Sequence, residues 1–263
     1  MLGVRVFDRN PGGVSLTPEG ARFLLSARNV MASVEEAMRV QRGSSEAASG
    51  KVRVGVTYTV AGYYLPRRHA RFARNFPAVE IELFEAPRDA IEQALCDGAL
   101  DIAVMLVSNL QTRDRLQSET LFRSRRRLWT PAEHPLLKGS SVGLADVANH
   151  AYVMLTVDEA NQTAARYWAK TTLQPNVVFT TSSVEAVRSM VAAGMGVTIL
   201  SDMVYRPWSL EGQRIETRVL VDPIPTMDVG LAWDPSRPMA APTRALHDFL
   251  CLDSAGGGQS LIR

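Results

Sequence analysis

From Lys51 onward, short apolar runs of strand type take turns with runs whose apolar residues recur every three or four positions. Val52, Val54 and Val56 alternate with Arg53, Gly55 and Thr57, the period of a strand. A helix follows through Leu65, Phe72 and Phe76, then a strand in which Val79, Ile81 and Leu83 alternate with Glu80 and Glu82. Ala90–Cys96 reads as a helix stopping near Gly98, and the unbroken apolar stretch Ile102–Val107 as a strand buried in a parallel sheet. A second set begins after Pro131. It has a strand at Tyr152–Leu155, a helix over Asp158–Lys170 and a short strand at Val177–Phe179. Ser182 or Ser183 then caps a helix carrying Val184, Val187, Met190 and Val191 that ends at Gly194, before a buried strand at Val197–Leu200. Val229–Trp233 and a helix around Leu246–Leu250 add one more strand and helix. Two such sets predict an α/β fold of two Rossmann-like lobes, joined near Trp129-Thr130-Pro131 and separated by a cleft. Sheets of this kind bind ligands outside the carboxyl ends of their strands, so a hinged two-lobe binder is predicted.

The first fifty residues follow another pattern. Val4, Val6 and Phe7, the turn Asn10-Pro11-Gly12-Gly13, then Val14 and Leu16 predict two short strands. Thr17 can cap a helix, Pro18 suits its first position, and Glu19 suits the positive end of its dipole. Leu24, Ala27, Met31, Val34 and Met38 recur at spacings of 3, 4, 3 and 4, a heptad seam. The stretch Gly43-Ser44-Ser45-Glu46-Ala47-Ala48-Ser49-Gly50 reads as a flexible linker. A helix with a seam and no domain beside it is expected to pair with another chain as a dimer, the alternative being a helix packed on its own domain.

Composition narrows the function. The chain has 263 residues, 46% of them apolar, enough for two domains with sizeable cores and too many for a disordered chain. No apolar run approaches the roughly 18 residues of a membrane helix, and the start carries Arg5, Asp8 and Arg9 rather than a signal peptide, so a cytoplasmic protein with no membrane partner is expected. Cys96 and Cys251 stand far apart, which excludes a disulfide scaffold or a CxxC metal site. The net charge of +2 divides into +3 over residues 1–53 (eight basic, five acidic) and −1 over the remainder, a mildly basic head that could face phosphate or simply be solvated. His69, His134, His150 and His247 are scattered, each expected at the surface or at a cap. With no Walker loop, GxGxxG, HExxH or Cys/His set, no cofactor or metal is expected. Gly139-Ser140-Ser141-Val142-Gly143 matches the G-x-S-x-G elbow, but a proline-containing loop precedes it rather than a buried strand. Ser141 is therefore read as a helix cap, and no catalytic residue is assigned. The run Arg123-Ser124-Arg125-Arg126-Arg127 is read as a solvated strand face near the lobe junction in preference to a nucleic-acid contact. Trp129, Trp168, Trp208 and Trp233 are too dispersed to stack bases and are expected in the core or at interfaces.

Leu2-Gly3-Val4-Arg5-Val6-Phe7-Asp8-Arg9, followed by Val14-Ser15-Leu16-Thr17-Pro18-Glu19-Gly20, resembles the wing and start of the linker helix in LysR-type transcriptional regulators. Phe76-Pro77-Ala78-Val79 with Gly98-Ala99-Leu100-Asp101-Ile102-Ala103 is similar to the first lobe of that family's effector-binding domain. Glu133-His134-Pro135-Leu136 and Val191-Ala192-Ala193-Gly194-Met195-Gly196-Val197 are similar to its second lobe. The resemblance implies a winged helix-turn-helix, a long dimerising linker helix, and two lobes of periplasmic-binding-protein type that hold a small-molecule effector. It implies promoter DNA as a further partner. It divides the chain into a remnant wing (1–16), linker helix and hinge (17–50), lobe I (51–128 with 228–252), lobe II (131–227) and a disordered tail (253–263). The family's first helices and most of its recognition helix are expected before Leu2, so this chain as given is not expected to read an operator. Arg5 and Arg9 could still touch DNA backbone.

For the effector, the resemblance points first to Thr59, with Val60, in the loop after the first strand; an ordinary helix cap is the alternative for Thr59. Arg88 could clamp a carboxylate or pair with Glu85 or Asp89. Met105 and Leu106 end the third strand and are expected to line the cleft. Thr156, Asp158 and Asn161 follow a strand end of the second lobe, the acid hinting at an effector amine, while Ser182 and Ser183 could present hydroxyls and N–H groups. Together with the resemblance, these features predict a ligand-responsive transcriptional regulator that forms a homodimer or homotetramer, and no enzyme. A free-standing solute-binding protein and a serine hydrolase acting through Ser141 are the alternatives.

Overall fold

The computed structural model describes residues 6–10, 13–20, 23, 24, 26, 27 and 48–256, and the chain forms two compact units, 1–48 and 49–263. In the first unit β1 (Phe7–Asn10) and β2 (Gly13–Leu16) pair antiparallel, Phe7 opposite Leu16 and Asn10 opposite Gly13, as the turn chemistry predicts. Thr17 Oγ1 accepts the Gly20 N–H at 2.9 Å and caps the helical residues 18–20, 23, 24, 26 and 27. Leu24 and Ala27 of the expected seam lie on this helical backbone. Met31, Val34 and Met38, like Arg5 and linker residues 43–47, lie outside the described residues, and Arg9 lies in β1.

The second unit runs β3 (Gly50–Val56), α1 (Tyr58–Tyr63), α2 (Leu65–Asn75), β4 (Val79–Glu85), α3 (Arg88–Asp97), β5 (Ile102–Leu106) and β6 (Gln117–Ser124). It continues through β7 (Arg126–Pro131), α4 (Leu144–Ala148), β8 (Ala151–Leu155), α5 (Ala160–Trp168), β9 (Asn176–Thr181), α6 (Val184–Ala192) and β10 (Thr198–Ser201). It closes with β11 (Ile215–Arg218), β12 (Met227–Trp233) and α7 (Ala241–Gly256). The first lobe is a five-stranded sheet in the order β4-β3-β5-β12-β6, with β3 parallel to β4 and β5, and β12 antiparallel to β5 and β6. In the second lobe β8 pairs parallel with β9, and β7 lies antiparallel between β10 and β11. The Val197 N–H reaches Ala151 O (2.8 Å) and the Val153 N–H reaches Val197 O (2.9 Å), joining the two pairings into the order β9-β8-β10-β7-β11. The second lobe thus repeats the first, strand for strand.

In each lobe the antiparallel fourth strand arrives across the junction, β7 from β6 and β12 from β11, so the chain crosses twice. The first crossing is Arg125, not Trp129–Pro131 as expected, because β7 is bonded into the second sheet from Arg126 onward. Ser124 Oγ receives Ser201 Oγ–H (2.6 Å) and the Met203 N–H (2.9 Å), while the Asp202 N–H donates to Arg125 O (2.8 Å). The basic run 123–127 is solvated only in part: Arg123 and Arg125 are exposed, Arg123 pairing with Asp228 at the surface, while Arg127 pairs with Asp202 and Arg126 donates to Pro225 O. Two further expectations need correction. Residues 158 and 159 do not join the helix, which starts at Ala160, because both have left-handed backbone. The tail is helical through Gly256, since Asp253 pairs with Arg68 and Arg71 and Ser254 Oγ lies 3.0 Å from Tyr64 OH.

Each lobe has its own apolar core. Ile91, Leu95, Leu100, Ala103 and Met105 fill the first, and Leu128, Val147, Tyr152, Trp168 and Val197 the second. Trp129 and Trp168 are buried as expected, and Trp208 is exposed. Gly230 lies at a bulge where β12 crosses β6, and a Cβ there would stand 2.2 Å from Glu119 O and under 3 Å from Val107. Gly230→Ala must push two backbones apart, and a loss of roughly 3 kcal/mol is expected in the denaturant midpoint.

Candidate functional site

The segments following β3 and β8 are equivalent in the two lobes, and they meet. Thr57 is the cap residue of α1; it is 2% exposed, and its Oγ1 has no partner among the described residues. Thr59 is therefore not the cap but a first-turn residue, itself buried. Across the seam Asp158 Oδ2 accepts both the Thr59 N–H (2.8 Å) and the Thr59 hydroxyl (2.5 Å). In this structure the carboxylate is occupied by donors of its own chain. Asp158 (φ 51°) and Glu159 (φ 55°) both adopt left-handed backbone, which costs about 1 kcal/mol or more per non-glycine residue. That conformation delivers one carboxylate to Thr59 and the next to the first lobe's other polar groups.

Asn109 Nδ2 donates to Asp158 O and to Glu159 Oε2, both at 3.0 Å. Arg88 Nε donates to Glu159 Oε1 (3.2 Å) and its Nη1 to Glu92 Oε1 (3.0 Å), in place of the pairing with Glu85 or Asp89. Glu92 is itself buried and accepts the Gln111 N–H (3.0 Å), the Thr112 N–H (2.8 Å) and the Thr112 hydroxyl (2.5 Å). Burial alone pushes its carboxyl up, but the bonds from Thr112, Gln111 and Arg88 outweigh that and hold it below the usual carboxylate range. Further along, Tyr63 OH donates to Glu185 Oε1 at 3.2 Å, and Arg188 pairs with Glu185 and donates to Val204 O (2.8 Å). The Arg188 hydrogen bond, with that of Tyr63, keeps the Glu185 carboxyl low. Arg206 stands over the Tyr63 ring at 5.2 Å.

Of the sequence candidates, the fold brings Thr59, Arg88 and Asp158 into one network. Val60 and Leu106 are buried beside it in sequence, but Met105 points into the first core with Ile91 and Leu95. Thr156 donates to Thr181 O, Ser183 Oγ caps α6 through the Ala186 N–H, and Asn161 and Ser182 are exposed. Sequence reading missed Thr57, Tyr63, Asn109, Glu159, Glu185 and Arg188. Only Arg188 left a signal, a charge on the buried side of the Val184–Val187–Val191 stripe. Ser141 is exposed in a loop and Gly143, not Ser141, caps α4. His134 does act as a cap, its Nδ1 accepting the Leu136 N–H. A separate groove at the far end of the first sheet is lined by Arg53, Asp101, Trp233, Asp234 and Arg237, whose charges pair with one another.

Two lobes of equal topology, crossed twice by the chain and facing each other over a polar seam, define an effector-binding domain of periplasmic-binding-protein type. The chain belongs to the LysR family of transcriptional regulators: residues 45–251 match the LysR substrate binding domain. It is 30% identical over 220 residues to the HTH-type transcriptional regulator CysB of Burkholderia cenocepacia, covering 81% of this chain and 69% of that one. It is 27% identical to the DNA-binding transcriptional dual regulator OxyR of Escherichia coli, covering 90% of this chain and 77% of the relative. Among solved structures, HinK, a LysR family regulator from Pseudomonas aeruginosa, superimposes with a TM-score of 0.72 at 26% identity, covering 91% of this chain and 81% of that chain. The C-terminal domain of a probable LysR family regulator from Rhodococcus sp. RHA1 gives 0.70 at 25%, covering 77% and 98%. These relatives are transcriptional regulators, not enzymes. Among the described residues no helix is long and apolar enough to cross a membrane.

Proposed function

We propose that this domain senses a small molecule bearing a carboxylate or similar acceptor, bound in the seam at Thr57, Thr59, Arg88 and Asn109. The carrying observation is that Asp158 already places a carboxylate on the Thr59 N–H and hydroxyl. An effector acceptor takes over those donors, releases the strained Asp158–Glu159 turn and shifts the balance between two lobe arrangements. Val60 and Leu106 supply apolar walls; Thr156, Asn161, Ser182 and Ser183 belong to the rim contributed by the second lobe, and Met105 supports the wall from behind. Through the linker helix the shift alters how paired chains present their heads to promoter DNA in the cytoplasm, with no chemistry performed on the effector.

Pairing of chains draws support from the outer strands. Edge strand β4 exposes Leu83 and Phe84, and edge strand β9 exposes Val177, Val178 and Phe179. These equivalent apolar edges of the two lobes suit a two-fold homodimer, which a second interface could extend to a tetramer. Peroxide sensing, which relatives named hydrogen peroxide-inducible genes activator suggest as an alternative, lacks support in the thiols. Cys96 is buried in the first core, and burial with the nearby Glu119 pushes the Cys251 thiol up to about 12, so it is not a reactive thiolate at neutral pH.

The reading is tested by amide hydrogen exchange on the full chain, with and without fractions of a cellular small-molecule extract. An active fraction is expected to change protection in residues 57–60 and 156–160 together. A fraction that stabilises the chain while leaving both segments unchanged would place the effector elsewhere.

A further inference from the structure

Away from the seam, Glu119 of β6 and His247 and Cys251 of α7 bring a carboxylate oxygen, an imidazole nitrogen and a sulfur within 4.8 Å of one another. His247 and Cys251 are four residues apart and so lie on one face of α7, the helix that packs on β6. His247 Nε2 stands 3.5 Å from Glu119 Oε2 and 4.0 Å from Cys251 Sγ. Tetrahedral zinc ligands, at roughly 2.0–2.3 Å from the metal, are about 3.3–3.7 Å from each other. The His247–Glu119 pair already has that spacing, and Cys251 must close on His247 by about half an ångström and, from within 4.8 Å, on Glu119 by up to about 1.3 Å, a side-chain rotation.

The imidazole is already set for the task. Its Nδ1 lies 2.9 Å from Asp248 Oδ1, and in the tautomer with the ring hydrogen on that side the Nε2 lone pair faces Glu119 and Cys251. Trp233 fixes the ring edge-on, with centroids 5.1 Å apart and planes at 86°. A carboxylate on the far nitrogen is the usual outer partner of a metal-bound histidine. The positions also differ in access: Cys251 and His247 are half-buried, and Glu119 is at the surface, leaving a path for an ion and for water.

We propose that Glu119 Oε2, His247 Nε2 and Cys251 Sγ form a binding site for a borderline-soft divalent cation of the zinc(II) class, with water in the fourth position. The sulfur and nitrogen donors disfavour magnesium and calcium, which take oxygen ligands. As the sulfur–metal bond forms, the thiol proton passes to solvent. The ion pins α7 to β6, the strand that runs directly into the first lobe crossing at Arg125. The site is independent of the effector reading, and it remains if that reading fails.

The test uses the full chain, free of any affinity tag and stripped by a chelator. Zinc(II) is titrated in competition with a chromophoric chelator, and cobalt(II) is added as a spectroscopic probe. One ion per chain is expected, with a sulfur-to-cobalt charge-transfer band. Cys251→Ser and Glu119→Gln should each weaken zinc binding at least tenfold and Asp248→Asn by roughly tenfold, the usual scale for an outer partner. The band should vanish in Cys251→Ser and persist in Cys96→Ser. Circular dichroism confirms that each variant is folded. Binding no tighter than millimolar, or binding equally strong in Cys251→Ser and Glu119→Gln, would overturn the proposal.

Discussion

Asp158→Ala is expected to raise the affinity of the seam for a carboxylate-bearing small molecule by roughly tenfold or more. Asp158 makes two charge-assisted bonds to Thr59, each worth about 1.5–3 kcal/mol, and a ligand must displace both before it can use the same donors. A competing internal contact divides the apparent affinity by the fraction of chains in which the donors are free. Strain at Asp158 and Glu159 offsets part of that contact, which is why the gain is expected near tenfold rather than at the full value of two bonds. Titration calorimetry on the two proteins gives the ratio directly. Equal affinities would mean that the ligand never meets Thr59. Ala at φ 51° keeps the left-handed strain while both bonds to Thr59 are lost, so the free protein should also lose stability, by about 1.5 kcal/mol or more.

Glu92→Ala is expected to cost about 3 kcal/mol or more of folding stability, the scale for removing one partner of a buried charge pair. Four donors converge on this carboxylate: Arg88 Nη1, the N–H groups of Gln111 and Thr112, and the Thr112 hydroxyl. Its loss frees the loop after β5 and leaves Arg88 held by Glu159 alone. The pH dependence carries the opposite check. Because the native carboxyl is held below its unfolded value, Glu92 binds its proton less readily when folded. Its stabilisation is therefore complete above the ordinary carboxylate range and is lost as pH falls through the lowered native value. Glu92→Gln should be less stable at neutral pH and show a flatter acid limb in denaturant melts. An acid limb identical to that of the parent chain would remove Glu92 from this role.

Much of the fold is written in local pattern. Alternation at Val52–Val56 and Val79–Leu83, the continuous apolar β5, and the left-handed glycines Gly98 and Gly194 that end α3 and follow α6 each carry their own physical signal. Strands β6 and β7 carry none as clear. β6 is largely polar, and β7 opens on Arg126 and Arg127, whose charges are absorbed by Pro225 O and Asp202, residues supplied by the other crossing and the end of β10. The break before α5 is invisible for a different reason: neither Asp nor Glu announces positive φ, and only the contacts of Asp158 and Glu159 with the first lobe stabilise it. The site divides in the same way. Thr59 and Arg88 stand at strand ends, where topology puts ligands. Asn109 reaches Asp158 across 49 residues, and Thr59 reaches it across 99, distances at which no sequence period helps. The two caps contrast: Ser183 caps α6 where a serine before the Val184–Val191 stripe marks a helix start, whereas Gly143, the cap of α4, sits inside a pattern that suggests a nucleophile two residues earlier.

The most direct test of the account is a parallel affinity measurement on the full chain, Thr59→Val and Asp158→Ala, using a panel of small carboxylates and neutral polar molecules. A carboxylate that binds the parent chain should lose affinity in Thr59→Val, where the hydroxyl donor is gone, and gain it in Asp158→Ala, where the internal competitor is gone. A ligand that binds all three proteins equally would contradict the assignment of the seam between β3 and β8 as the effector site.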